Sequence, residues 1–301
     1  MFVSLAILAA AQQVVIPLGN PKVIEQPRAP IEKSGPLFAS ECKDWDDYDK
    51  PAPPVRIFGN TYLVGTCGIS SILITDPAGD ILIDGGTDKD APLIAANIRR
   101  LGFQPTDVRY LLNSHEHFDH VGGLAELQRL TGAQLLSSAA AAPVLSSGMP
   151  SPQDPQAALK QTFPAVHVDR IVNDGEQVRV GNTVVIALLT PGHTPGAVTW
   201  HWGSCQSGVC RQIVYADSLT SVSDKSYRFS DHPQYVELFR SSIAKVATLP
   251  CDILLTPHPS ASDMVKRLQL ARVEDPNACR DYAAKLTKQL DDRLAKEAAT
   301  K

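Results

Sequence analysis

Ser114-His115-Glu116-His117-Phe118-Asp119-His120-Val121-Gly122-Gly123 stands between a strand-like run, Val108–Asn113, and the start of a helix. Three histidines and an aspartate on one turn offer the donors that zinc prefers, neutral imidazole nitrogen and carboxylate oxygen. Alternate residues of a turn point to the same side, so His115 and His117 converge on one ion, and Asp119 and His120 on a second. Two more histidines follow strand-like runs. His193 lies in Thr190-Pro191-Gly192-His193-Thr194-Pro195-Gly196, where proline and glycine on both sides force a tight turn. His258 lies in Thr256-Pro257-His258-Pro259, after Asp252–Leu255. With these two, the cluster supplies two sets of three ligands. Each ion keeps an open position for water, which distinguishes a catalytic zinc from a structural one. His167, His201 and His232 have no partner at ligand spacing and read as structural or surface residues.

Outward from this turn, strands and helices alternate. Residues 60–64, 70–75 and 80–84 read as consecutive strands, the last ending at Asp84-Gly85-Gly86. A helix is expected from about Asp88, with Leu93, Ile94, Ile98 and Leu101 as its apolar face and Gly102 as its stop. After the histidine turn, Leu124, Leu127 and Leu130 mark a helix that ends at Gly132. A strand at 134–137 and an alanine-rich helix follow. Residues 146–164 hold four prolines and read as a loop. Further strands are expected at 166–172, 178–180, 183–189, 197–202, 212–216 and 252–255. Helices are expected at 233–248 and at about 280–298, the latter with Tyr282, Leu286, Leu290 and Leu294 as its core stripe. This mixture predicts an α/β fold over one domain, 55–301. Two mixed β-sheets stack face to face with helices outside, a four-layer αβ/βα sandwich with loops at one edge for a site.

The composition narrows the function. The chain has 301 residues, 44% of them hydrophobic, and a net charge of −4. No clustered Lys and Arg offer a nucleic-acid surface, and no apolar run reaches the ~18 residues of a membrane span. Residues 1–11 read as a signal peptide: the core Phe2–Ala11 is apolar, and Ala9-Ala10-Ala11 suits a cut before Gln12. The usual basic residue near the start is missing. Residues 12–54, rich in proline, read as an extended arm lying on the domain. Six cysteines without a Cys-x-x-Cys pair fit three disulfides formed in an oxidising compartment, periplasmic or extracellular. Spacing alone leaves fifteen connectivities, although Cys205 and Cys210, flanking a short turn between two strand-like runs, look like a hairpin staple.

The pattern His115-x-His117-x-Asp119-His120, then His193 and His258 each after a strand, resembles the metallo-β-lactamase superfamily over roughly residues 55–260. The stretches 84–87 (DGGT), 114–127 (SHEHFDHVGGLAEL), 190–200 (TPGHTPGAVTW), 215–220 (YADSLT) and 249–262 (LPCDILLTPHPSAS) resemble subclass B3 within it. The resemblance implies the metallo-β-lactamase fold and two zinc ions per chain. It implies a first site of His115, His117 and His193, and a second of Asp119, His120 and His258. It also implies the pairs Cys42–Cys67, Cys205–Cys210 and Cys251–Cys279. Ser218 and Thr220 are expected to face a substrate carboxylate. Asp217 is expected outside the ligand set, but glyoxalase II uses an aspartate near this point to bridge its metals, and the sequence leaves that alternative open. Glu116 stands where the subclass commonly has alanine, and is expected to meet solvent or to accept a ligand's N–H. Asp84 is expected beside a ligand or on nearby backbone N–H groups.

The activity implied is zinc-dependent hydrolysis of the β-lactam amide of penicillins, cephalosporins and carbapenems, and so antibiotic resistance. Asp119 would orient the attacking water and no covalent intermediate would form. The enzyme is expected to act as a monomer on a small-molecule β-lactam, with loop 146–164 and the arm before Val55 lining the cleft. The rival readings are a glyoxalase II-like thioesterase or a lactonase on the same fold, and a zinc-dependent binding or redox scaffold. No Gly-x-Ser-x-Gly elbow supports a serine hydrolase.

Overall fold

A computed structural model of the chain describes residues 30–300. The signal-peptide reading of 1–11 and the arm up to residue 29 lie outside the described residues.

Apolar runs such as Ile81-Leu82-Ile83 do not alternate with polar residues, so such a strand must be buried on both faces. The two faces of each strand serve different layers. One sheet carries β1 (Val55–Phe58), β2 (Thr61–Leu63), β3 (Ile72–Ile74), β4 (Asp80–Ile83), β5 (Val108–Leu112), β6 (Gln134–Ser138) and β7 (Arg170–Val172), in that order. It is antiparallel as far as β4 and parallel beyond it. The second sheet holds β8 (Gln177–Val180), β9 (Thr183–Leu189), β10 (Val198–Gln206), β11 (Val209–Tyr215) and β12 (Ile253–Leu255), with only β11 and β12 parallel. Ile72, Ile81, Ile83, Leu112 and Leu136 of the first sheet meet Val185, Val198, Trp200, Ile213 and Leu255 of the second in one central core. Two indole bonds cross that core: Trp200 Nε1 donates to the Asn113 carbonyl at 2.9 Å, and Trp202 Nε1 to Thr61 Oγ1 at 3.0 Å.

The helices are α1 (Ile31–Glu41), α2 (Ala91–Arg100), α3 (Phe118–Val121), α4 (Leu124–Thr131), α5 (Ala142–Ser147), α6 (Pro233–Ala247), α7 (Met264–Gln269) and α8 (Ala278–Ala299); α1 and α7 pack Phe38, Met264 and Leu268 into the central core, and the opposite faces take the rest. Leu73, Leu82, Leu111 and Leu135 pack outward against Ile94 and Ile98 of α2, Leu124 and Leu127 of α4, and Leu145 of α5. Val214 and Leu254 pack outward against Phe239 and Ile243 of α6 and Tyr282, Leu286 and Leu290 of α8. The four expected layers are therefore present.

Three expectations need correcting. The segment read as an extended arm holds helix α1, and its Phe38, Cys42 and Ala52 join the central core. The strand expected over 166–172 is confined to Arg170–Val172, because the Val166 N–H bonds the Leu145 carbonyl of α5 at 2.9 Å instead of a neighbouring strand. Leu93 is only partly buried, and α2 starts at Ala91 rather than near Asp88. The hairpin β10–β11 turns through Ser207 (φ 51°) and Gly208 (φ 81°), the positive pair that a two-residue hairpin turn requires. Cys205 and Cys210 face each other across it. All three disulfides are present: Cys42–Cys67, Cys205–Cys210 and Cys251–Cys279.

Candidate metal centre and cleft

Loops leaving the C-terminal ends of β4, β5, β9, β11 and β12 meet at one edge of the sandwich. Backbone bonds join them. The Val198 N–H donates to the Ser114 carbonyl (2.6 Å), Gly85 N–H to the His120 carbonyl (2.7 Å) and Ser70 N–H to the Pro257 carbonyl (2.7 Å). Close approach demands glycine here: a Cβ on Gly123 would lie 2.2 Å from the Gly85 oxygen. Gly123 therefore lets the helix that follows the histidine turn rest on Asp84-Gly85-Gly86.

The expected ligands come together. His115, His117 and His193 offer nitrogen atoms within 4.8 Å of one another, as do His115, Asp119 and His120 with their nitrogen and oxygen atoms. His258 joins the second group: its Nε2 lies 3.3 Å from His120 Nε2 and 3.5 Å from Asp119 Oδ2, and His120 Nε2 lies 3.3 Å from Asp119 Oδ2. His115 Nε2 is buried and has no hydrogen-bond partner among the described residues. Such an atom is costly to bury unpaired, and a metal ion would satisfy it.

Electrostatics agree with metal binding. Burial, reinforced by neighbouring imidazoles, pushes His193 down to about 3 and His258 to about 4, and holds His115 well below the usual histidine range. Their nitrogens are therefore unprotonated at neutral pH, as ligands must be. Around His120, burial is outweighed by Asp119 and Asp84, which raise the imidazole to about 10. Those two carboxylates favour a positive charge between them, a proton or a metal ion. Burial likewise opposes ionisation of Asp119, but His120 and His258 hold its carboxyl below the usual range.

Four of the site's five histidines meet a polar group behind the ring. Asp154 Oδ2 lies 2.9 Å from His117 Nε2, leaving Nδ1 for an ion. The carbonyl and hydroxyl oxygens of Thr220 both lie 3.0 Å from His193 Nδ1, and the Gly68 carbonyl lies 3.3 Å from His258 Nδ1. His115 Nδ1 meets the Ser114 hydroxyl at 3.2 Å; Asp217 Oδ1 lies 2.9 Å away without making a hydrogen bond, both side chains being fully buried. Asp84 has φ 64°. It accepts from the Ser114 N–H (2.6 Å), the Ser114 hydroxyl (2.7 Å) and the Tyr215 hydroxyl (2.7 Å), and lies 3.6 Å from His120 Nδ1.

Glu116 corrects the sequence reading. It neither meets solvent nor accepts an imidazole N–H. It is buried, its Oε2 accepting from the Thr194 hydroxyl (2.6 Å) and its Oε1 from the Gly196 N–H (2.8 Å). The tight turn carrying His193 has polar groups facing inward, and Glu116 satisfies them. Thr220 was expected to face substrate, yet its hydroxyl also touches His193. Ser218 Oγ is buried without a partner among the described residues. Tyr48, in the segment read as an arm, packs its ring 5.5 Å from that of His258, so this segment does border the site. Asp154 and Tyr215 were not foreseen. Asp154 lies in a proline-rich loop whose only local signal, Asp before Pro, marks a turn and not a partner for His117.

Residues 64–258 match the family model described as Metallo-beta-lactamase superfamily. The fold is similar to that of the MIM-2 metallo-beta-lactamase, at 51% identity and a TM-score of 0.85, over 88% of this chain and 98% of that one. It is also similar to MEM-A1, a subclass B3 metallo-beta-lactamase from a soil metagenome library, at 46% identity and a TM-score of 0.82, over 85% of this chain and all of the other. A hydroxyacylglutathione hydrolase from Bradyrhizobium sp. (strain ORS 278) is 29% identical over 218 residues, 72% of each chain.

Proposed function

The chain belongs to the metallo-β-lactamase superfamily of hydrolases, within subclass B3, and from that premise we propose that it is a two-zinc β-lactamase opening the amide ring of penicillins, cephalosporins and carbapenems. Asp217 carries the choice over the thioesterase reading. A bridging aspartate must stand in front of the ligands, between two ions. The Asp217 carboxylate instead lies 2.9 Å from His115 Nδ1, the ring nitrogen opposite the unpartnered Nε2. That places Asp217 behind His115, whose Nδ1 meets the Ser114 hydroxyl at 3.2 Å, and not between two ions.

In this reading His115, His117 and His193 hold one zinc, and Asp119, His120 and His258 the other. Zinc supplies a water acidified toward neutral pH and a Lewis acid for the substrate carbonyl. The chain's own residues do the rest. Asp154, Thr220, Ser114 and Gly68 fix which imidazole nitrogen of His117, His193, His115 and His258 is free. Asp119, held ionised, orients the attacking water. Ser218, once its buried and unpartnered hydroxyl turns outward, and Thr220 would donate to an anionic group of the substrate. The three disulfides support export to an oxidising compartment, where the activity would confer antibiotic resistance.

The test is hydrolysis of a chromogenic cephalosporin and of a glutathione thioester, each with and without a chelator. Chelator-sensitive cleavage of the cephalosporin is expected. Cleavage of the thioester alone would transfer the enzyme to the rival class.

A further inference from the structure

His117 depends on a loop. Its supporting carboxylate, Asp154, lies between α5 and β7, where the described chain has one short 3-10 turn, Ala157–Leu159. Within the loop, Asp154 is steadied by local bonds: its Oδ1 accepts from the Gln156 N–H at 2.7 Å, and its N–H donates to the Ser151 carbonyl at 3.0 Å. Those bonds shape the turn but do not attach it to the rest of the molecule. The attachment runs to Asp224, four residues beyond Thr220. The Asp224 N–H donates to the Pro155 carbonyl at 2.9 Å, and its Oδ2 accepts from the Ala158 N–H at 3.0 Å. Its other oxygen, Oδ1, accepts from the Ser226 N–H (2.7 Å), the Ser226 hydroxyl (2.5 Å) and the Tyr227 N–H (3.1 Å). Arg293 of α8 holds the same segment through Ser223 Oγ at 2.7 Å and the Tyr227 carbonyl at 3.2 Å.

We propose that Asp224 is a positioning residue that latches the Asp154 loop to the segment carrying Thr220, and so holds the outer supports of His117 and His193 in one rigid frame. The two carboxylate oxygens divide the work: Oδ1 builds its own turn and Oδ2 grips the neighbouring loop. Asp224→Asn separates these tasks. The amide oxygen keeps the three bonds of the turn, while the amide N–H₂ faces the Ala158 N–H, two donors together. A flipped amide would meet three donors and is worse.

This inference rests on His117 as a metal ligand, and the experiment tests the two apart. Stepwise zinc affinities are measured by competition with a chelator for the wild type, Asp224→Asn, Asp154→Asn, their double variant and His117→Ala. Loss of a partner behind a ligand typically weakens binding ~10- to 100-fold. Asp224→Asn is expected to weaken, tenfold or so, the same step that His117→Ala weakens, and to add little in the Asp154→Asn background, since both act through one bond. In the zinc-loaded protein the His117 Nε2 proton should give a slowly exchanging NMR resonance that Asp224→Asn loses; a purely structural role would leave it. If His117→Ala moves neither constant, the ligand assignment fails. If His117→Ala moves one and Asp224→Asn does not, the latch alone fails. Should Asp224→Asn not fold, amide exchange of wild-type Ala158 decides: protection supports the latch, and free exchange overturns it.

Discussion

Glu116 and Asp217 flank the ligand cluster as buried carboxyl groups, and each makes a separable claim. Burial raises the Glu116 carboxyl, against the bonds from Thr194 and Gly196 that favour its ionised form. If its task is to bind the His193 turn, Glu116→Gln should be tolerated: Oε1 still accepts from Gly196, and the amide can donate to the Thr194 oxygen. Glu116→Leu strands a buried N–H and a hydroxyl, each worth about 1–3 kcal/mol, so melting temperature and zinc retention should both fall. Equal stability of the Gln and Leu variants in thermal melts would remove this role. Asp217→Asn is the sharper test of function. With Asp217 behind His115, the variant should retain two zinc ions per chain by elemental analysis, with weakened β-lactamase activity. Loss of metal, with any thioester cleavage of the wild type abolished alongside it, would point to a bridging aspartate and to the other hydrolase class.

Among the elements, β4 shows what a doubly buried strand tolerates. Asp80 opens it, nearly inaccessible, with Oδ2 unpartnered among the described residues and Oδ1 accepting from the Asp76 N–H at 3.2 Å. Burial, with the charges of Asp107 and Asp76 adding to it against Arg109, raises its carboxyl from 3.8 to about 7. A carboxyl that holds its proton more tightly when folded stabilises the fold least once ionised. Its contribution therefore falls as pH rises from about 4 to about 7, and the deficit is complete above that window. Asp80→Asn removes the deficit, so its melting temperature should exceed the wild type's by more at pH 8 than at pH 5; a gap independent of pH would show that Asp80 ionises normally. Helix α1 shows the opposite case, an element hidden from sequence reading. Gly35 and Pro36 lie inside it, and both are poor helix formers. A Cβ on Gly35 would lie 2.4 Å from the Leu268 oxygen of α7. The helix owes its existence to packing on a distant segment, and local propensity argues against it.

Across the whole molecule, the proposed ligands tie the two sheets together: His115–His120 leave β5 of one, and His193 and His258 leave β9 and β12 of the other. Zinc should therefore stabilise the fold as well as activate water. A ligand at a hundred times its Kd adds ~2.7 kcal/mol per site, several degrees in a chain of this size. Chelation should lower the melting temperature and zinc should restore it; identical melts with and without chelator would count against both sites. Much of this was legible in the sequence. Strands and helices mixed along the chain pointed to two stacked sheets with helices outside, and six histidine and aspartate donors placed after strands announced the metal centre, because ligand chemistry admits few residue types. What tertiary structure alone decided were the groups behind the ligands. Asp154, Asp224, Thr220 and the inward turn of Glu116 act through hydrogen bonds between segments far apart in the chain. Asp, Glu and Thr form such bonds in any polar loop, so their partners are set only when folding brings two loops together.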